Sequence, residues 1–129
     1  MKNEGGSNMS QIAEDKNMGE MEGFMTPPNH INFLAKKLFA DVGEIIDGSI
    51  AYLKQQGGGP VENHTHEHNH LFIVTQGEAK ILLGKETVIV RKDESYLVKG
   101  AIPHSVWNNI EDITVMVGIS VVGDSINKK

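Results

Sequence analysis

From residue 45 onward the chain breaks into short runs rich in Val, Ile, Leu and Thr. They fall at 50–54, 71–75, 80–83, 86–91, 95–98, 105–107 and 113–121. Each is too short for a stable helix and has the composition of a pleated, half-buried surface. Turn residues separate them. Gly84-Lys85 fits a tight hairpin, and Gly57-Gly58-Gly59-Pro60 can be neither helix interior nor central strand. Seven strands at a spacing of roughly 8–12 residues predict an all-β sandwich or barrel.

Length bounds the rest. With 129 residues there is room for one domain. Residues 1–28 are rich in Gly, Met, Asn and acid, lack a sustained apolar period, and read as a disordered tail. The domain is then expected over 29–129. It should open with a short helix over 29–39, because Thr26-Pro27-Pro28-Asn29 resembles a helix entry and Ile31, Leu34, Ala35 and Leu38 share a helical face. Phe33 and Phe39 break that stripe and make a strand the alternative.

Several function classes drop out. The chain has no cysteine, so thiol catalysis, disulfide frameworks and Cys-held zinc are excluded. Its net charge is −5 and Arg91 is its one arginine, which argues against a nucleic-acid partner. No run approaches the ~20 apolar residues of a membrane span. The start lacks the apolar core of a secretory signal, so a cytoplasmic setting is expected.

The chemistry is concentrated elsewhere. Four of the six histidines, His64, His66, His68 and His70, lie within seven residues. Neutral imidazole is the commonest side-chain metal ligand and suits Zn, Cu, Fe and Ni. On a strand, positions i and i+2 point the same way, so His64 and His66 can grip one ion. His66-Glu67-His68-Asn69-His70 also matches the H-E-x-x-H pattern of zinc proteases. That pattern works only on a helix. Here glycines and Pro60 lie just upstream and Ile73-Val74-Thr75 just downstream, which leaves little room for the long helix such a protease needs.

The residues resemble the cupin family. Its first motif, G-x5-H-x-H-x3-E-x6-G, is matched by Gly58, His64, His66, His70 and Gly77, with His70 in place of the usual glutamate. Of the second, G-x5-P-x-G-x2-H-x3-N, His104 and Asn108 remain, while Asp93, Lys99 and Ala101 replace the Gly, Pro and Gly. The resemblance covers about 50–123. It implies a cupin-type double-stranded β-helix, or jelly-roll barrel, following the short helix and the tail. It implies a metal inside the barrel held by His64, His66, His70 and His104, with His68 at the rim. By analogy with small cupins, a homodimer is expected.

A site of neutral imidazoles leaves a divalent ion its full +2 charge, a stronger Lewis acid than one with a carboxylate ligand. It should favour a small, oxygen-rich, anionic metabolite that chelates the ion. One ion per chain is expected: Mn, Fe, Ni or Co suits six-coordination with open positions, whereas four-coordinate Zn would be closed. Parity places Phe72, Val74 and Val106 on the metal-facing side, with Tyr52 a further pocket candidate, and Trp107 on the outer layer. Glu62 and Glu67 flank the cluster as the nearest candidate bases. A metal-dependent dioxygenase, isomerase or lyase is the leading expectation. A non-catalytic binding or sensing protein and a barrel with a structural ion are the alternatives.

Overall fold

A computed structural model describes residues 21–123, with the side chains of Asn63 and His64 outside the description. The expected disorder of residues 1–20 therefore lies outside the described residues. The chain divides into two units, 1–37 and 38–129.

In the first unit, Met25 and Ala35 form an isolated antiparallel bridge, each backbone N–H donating to the other's carbonyl at 2.9 and 2.8 Å. The helix expected over 29–39 does not form. Asn29 and Asn32 adopt φ of 65° and 53°. These are left-handed conformations that a right-handed helix excludes and that Asn tolerates. The apparent apolar stripe is instead exposed at Ile31 and divided by these turns.

The second unit is all β. Its strands are β1 (Ile45–Leu53), β2 (Gly58–His64), β3 (Asn69–Gln76), β4 (Glu78–Leu83), β5 (Glu86–Arg91), β6 (Glu94–Val98), β7 (His104–Asn108) and β8 (Thr114–Val121). They form two four-stranded antiparallel sheets, ordered β1-β8-β3-β6 and β2-β7-β4-β5. Consecutive strands that lie in different sheets give the rolled, jelly-roll arrangement that the strand pattern and the cupin resemblance imply.

The core lies between the sheets. Val74, Val98 and Met116 come from one, and Ala79, Ile81, Leu83 and Val106 from the other. Alternation is clean on β4, where Ala79, Ile81 and Leu83 are buried and Lys80 and Leu82 less so. Burying such side chains is worth about 1.5–3 kcal/mol each, which is what holds two otherwise separate sheets together.

β2 is the strand that composition hides. It contains Gly58-Gly59-Pro60, and it lies at the edge of its sheet, the position such residues permit. Gly58 has φ +156° and packs on β7 so closely that a Cβ there would collide with the Val106 carbonyl and the Trp107 ring. A side chain at 58 would force β2 away from β7, the strand that carries His104.

Candidate metal centre

Three elements deliver the histidines. The segment 65–68 links β2 to β3 and carries His66; β3 begins with Asn69 and His70; β7 begins with His104. One ring nitrogen each of His66, His70 and His104, placed where the three could hold an ion, lies within 4.8 Å of the others. Nitrogens bound to one ion at ~2.1 Å stand at most about 4.2 Å apart, so small side-chain rotations close the set. His64 pairs through its backbone with His104, and its side chain lies outside the description. No helix passes through the His66–His70 stretch, so the protease geometry is absent.

Two of the three rings are fixed by backbone carbonyls. His66 donates Nδ1–H to the carbonyl of His68 at 2.9 Å, and His104 donates Nδ1–H to the carbonyl of Ile102 at 2.6 Å. Each bond fixes the tautomer and leaves Nε2 as the basic nitrogen, as ligating histidines require. His104 is 2% exposed. His68 stacks on His66, with ring centroids 4.2 Å apart and planes 8° from parallel, and meets His70 edge-on at 4.8 Å. It packs beside the three clustered rings and is not one of them.

Sequence spacing gave no hint of what shapes the 65–68 segment. His66 N–H donates to the Gly100 carbonyl at 3.0 Å, and Gly100 N–H donates to Oδ1 of buried Asn69 at 2.9 Å. A Cβ on Gly100 would collide with the carbonyls of His66 and His68, so only glycine lets the β6–β7 loop approach the histidine segment.

Burial pushes the His70 pKa down from its usual 6.5 to about 4; His66, His68 and His104 add to the fall, and Asp47 opposes it. A neutral ring is the form a metal ion needs. It is also a stability term. Between pH 6.5 and about 4 the unfolded chain takes up a proton on His70 that the folded chain refuses, so stability must fall as pH falls through that window. Because the ring is half-exposed, the loss is about 1–2 kcal/mol. The thermal midpoint of metal-free protein should drop over that range, and a His70→Gln variant should drop less. Parallel curves would contradict this assignment.

Beside the cluster lies a cavity of about 470 Å³, with His70 and His104 in its wall together with Leu53, Phe72, Val106 and Met116. Lys54 and Tyr52 also line it. Tyr52 is 67% exposed. Val74 is fully buried in the core and does not line it. Trp107 is half-buried, donating Nε1–H to Ser105 Oγ at 2.9 Å, and is not in the wall. Glu62 and Glu67 are exposed and also outside the wall.

Solved structures with the same roll include the SPY1581 protein of Streptococcus pyogenes (TM-score 0.53, 17% identity, 60% of this chain and 65% of that one). The Cnp3 cupin domain of Schizosaccharomyces pombe gives 0.54, 14%, 66% and 57%. A cupin domain of an XRE family transcriptional regulator from Enterobacter cloacae gives 0.54, 18%, 60% and 82%. This chain thus spans less than two thirds of the first two proteins, and the likeness is one of fold. No curated protein matches. The sequence model of the Cupin_2 family, described as a cupin domain, matches residues 51–122. That stretch is more than half of the chain and contains His64, His66, His70 and His104 together with the core of both sheets, and on that match the chain belongs to the cupin family.

Proposed function

We propose that the chain binds one divalent transition-metal ion through His66, His70 and His104, with His64 as fourth ligand, and acts on a small, oxygen-rich, anionic metabolite in the adjoining cavity. The reaction class is that of a dioxygenase, isomerase or lyase. The carrying observation is that two of the three clustered imidazoles, His70 and His104, also line the cavity. A ligand there can reach the ion and the apolar wall together. Bound at this set, the ion supplies Lewis acidity and open coordination positions, which suits Mn, Fe, Ni or Co better than Zn.

The chain's own groups do the rest. Phe72, Val106 and Met116 exclude water and so strengthen electrostatic contacts with an anion. Lys54, the one charged side chain of the wall among the described residues, complements a carboxylate tail. Small molecules are thus the partners, in a cytoplasmic setting that fits a chain without cysteine. The outer side of edge strand β1, which exposes Ile50 and Tyr52, is where a homodimer would pair.

A second reading, binding or sensing without turnover, has one observation in its favour. No carboxylate lines the cavity among the described residues, so a carboxylate base is not at hand. Thermal shift with Mn- or Fe-loaded protein tests the shared claim. At ~100 Kd a bidentate hydroxy acid or β-dicarbonyl should stabilise by about 2.7 kcal/mol, a rise of several degrees. The rise should vanish in metal-free protein and in His66→Ala. A metal-independent rise would contradict the proposal. Product analysis of the same samples separates turnover from sensing.

A further inference from the structure

His66 and His104 each hand a ring N–H to a backbone carbonyl. His70 does not. Its contacts are with other rings, and no backbone carbonyl among the described residues holds it. A ligating histidine ordinarily has its outer N–H fixed by a carbonyl, a carboxylate or water. Strand register shows which group stands ready.

On β8, Ser120 is opposite His70 of β3 on one side and opposite Asp47 of β1 on the other. Directly opposed residues of antiparallel strands project from the same face. Asp47, Ser120 and His70 thus form one row. The next row inward is Ser49, Gly118 and Phe72, and the one after it Ala51, Met116 and Val74. Phe72 and Met116 line the cavity, so the face is the interior one. A Cβ on Gly118 would sit 3.4 Å from the Phe72 ring and 3.9 Å from Ser49 Oγ, which confirms the alignment of the rows. The register of β1 shifts between Ile45 and Asp47, an irregularity of the kind found beside functional sites.

Asp47 is exposed and has no ion-pair partner among the described residues. Two strand spacings, about 10 Å between backbones, separate it from His70. The side chains do not touch in the metal-free chain; leaning toward each other, an aspartate and a histidine would close that gap, directly or with one water between them.

We propose that Asp47 is the carboxylate partner of His70: it accepts the hydrogen bond of the outer ring N–H, fixes the tautomer, and places a negative charge beside a site whose ligands are all neutral. Resting on the metal reading above, this restores in the neighbouring shell the carboxylate that His70 displaces from the ligand set. Asp47 is a positioning residue and acts through the imidazole.

The test is Co(II) affinity by chelator competition on the full chain, with ¹⁵N NMR of the imidazoles in the metal-free form. Asp47→Asn should still bind about one ion, with affinity reduced ~10-fold or more. The His70 ring nitrogens should show mixed tautomers, Asp47→Glu should recover most of the affinity, and the metal-free melting point should not move. His66→Ala should lose far more. Affinity within twofold of the native chain, or an unchanged His70 tautomer, in Asp47→Asn would overturn the role of Asp47 alone. A native chain that takes up no Co(II) would overturn the metal reading and this inference with it.

Discussion

Asn108→Ala should lower the unfolding free energy by about 3–4 kcal/mol and the melting temperature by more than ~10 °C. Asn108 is 8% exposed at the end of β7. Its Nδ2 donates to the carbonyls of Leu53, Lys54 and Asp112 at 2.9, 3.0 and 2.8 Å. Its Oδ1 accepts from Ile110 N–H at 3.0 Å and from Thr114 Oγ at 2.7 Å. One amide thus ties the end of β1 to the β7–β8 corner, and Leu53 and Lys54 are also cavity wall. Truncation strands several buried carbonyls, each at a cost of about 1–3 kcal/mol before relaxation. Asn108→Asp distinguishes a lost donor from lost volume: it keeps the shape and turns a carboxylate toward carbonyl oxygens. It should be at least as harmful as Ala. Denaturant melts of both variants check this, and a loss under ~1 kcal/mol in either would contradict it.

The strands that were legible are those whose burial sets their composition. β3 to β8 pack β-branched and aliphatic side chains between the sheets, and their runs read directly from the sequence. β1 was half legible. Its expected start at residue 50 misses Ile45 through Ser49, a stretch with Asp47 and Gly48 that holds its place through pairing with β8 rather than through side-chain burial. β2 was hidden because an edge strand tolerates glycine and proline. The expected helix over 29–39 failed for a local reason. A 3.6-residue stripe says nothing about whether Asn29 and Asn32 will enter the left-handed region.

The same division holds at the site. The clustering of His66, His70 and His104 was legible because residue type and spacing are properties of the sequence. The residues that stand around them were not. Gly100 fits under the His66 and His68 carbonyls, and Asp47 reaches the His70 row only through the register of two strand pairs. Both relations join distant parts of the chain, and neither residue type carries a ligand signature. His68, read as rim by analogy, packs face to face on His66, a contact that parity along one strand does not describe.

The largest effect expected of any single change is on metal content. The three imidazoles span at most 4.8 Å, and with His64 proposed as the fourth ligand, removing one takes a donor from the set and loosens its hold on a divalent ion against bulk water and buffer. His70 is the informative position: it is half-buried at the start of β3, so an alanine there leaves a small gap without breaking a backbone hydrogen bond. Elemental analysis of tag-free native protein beside His70→Ala, both equilibrated with the same limiting metal, is the direct measurement. The native chain should hold about one transition-metal ion, and the variant should bind at least ~10-fold more weakly, since even outer-shell losses produce falls of that order. Equal metal in the two proteins, or none in the native chain, would contradict the account of this roll as a histidine-ligated metal site.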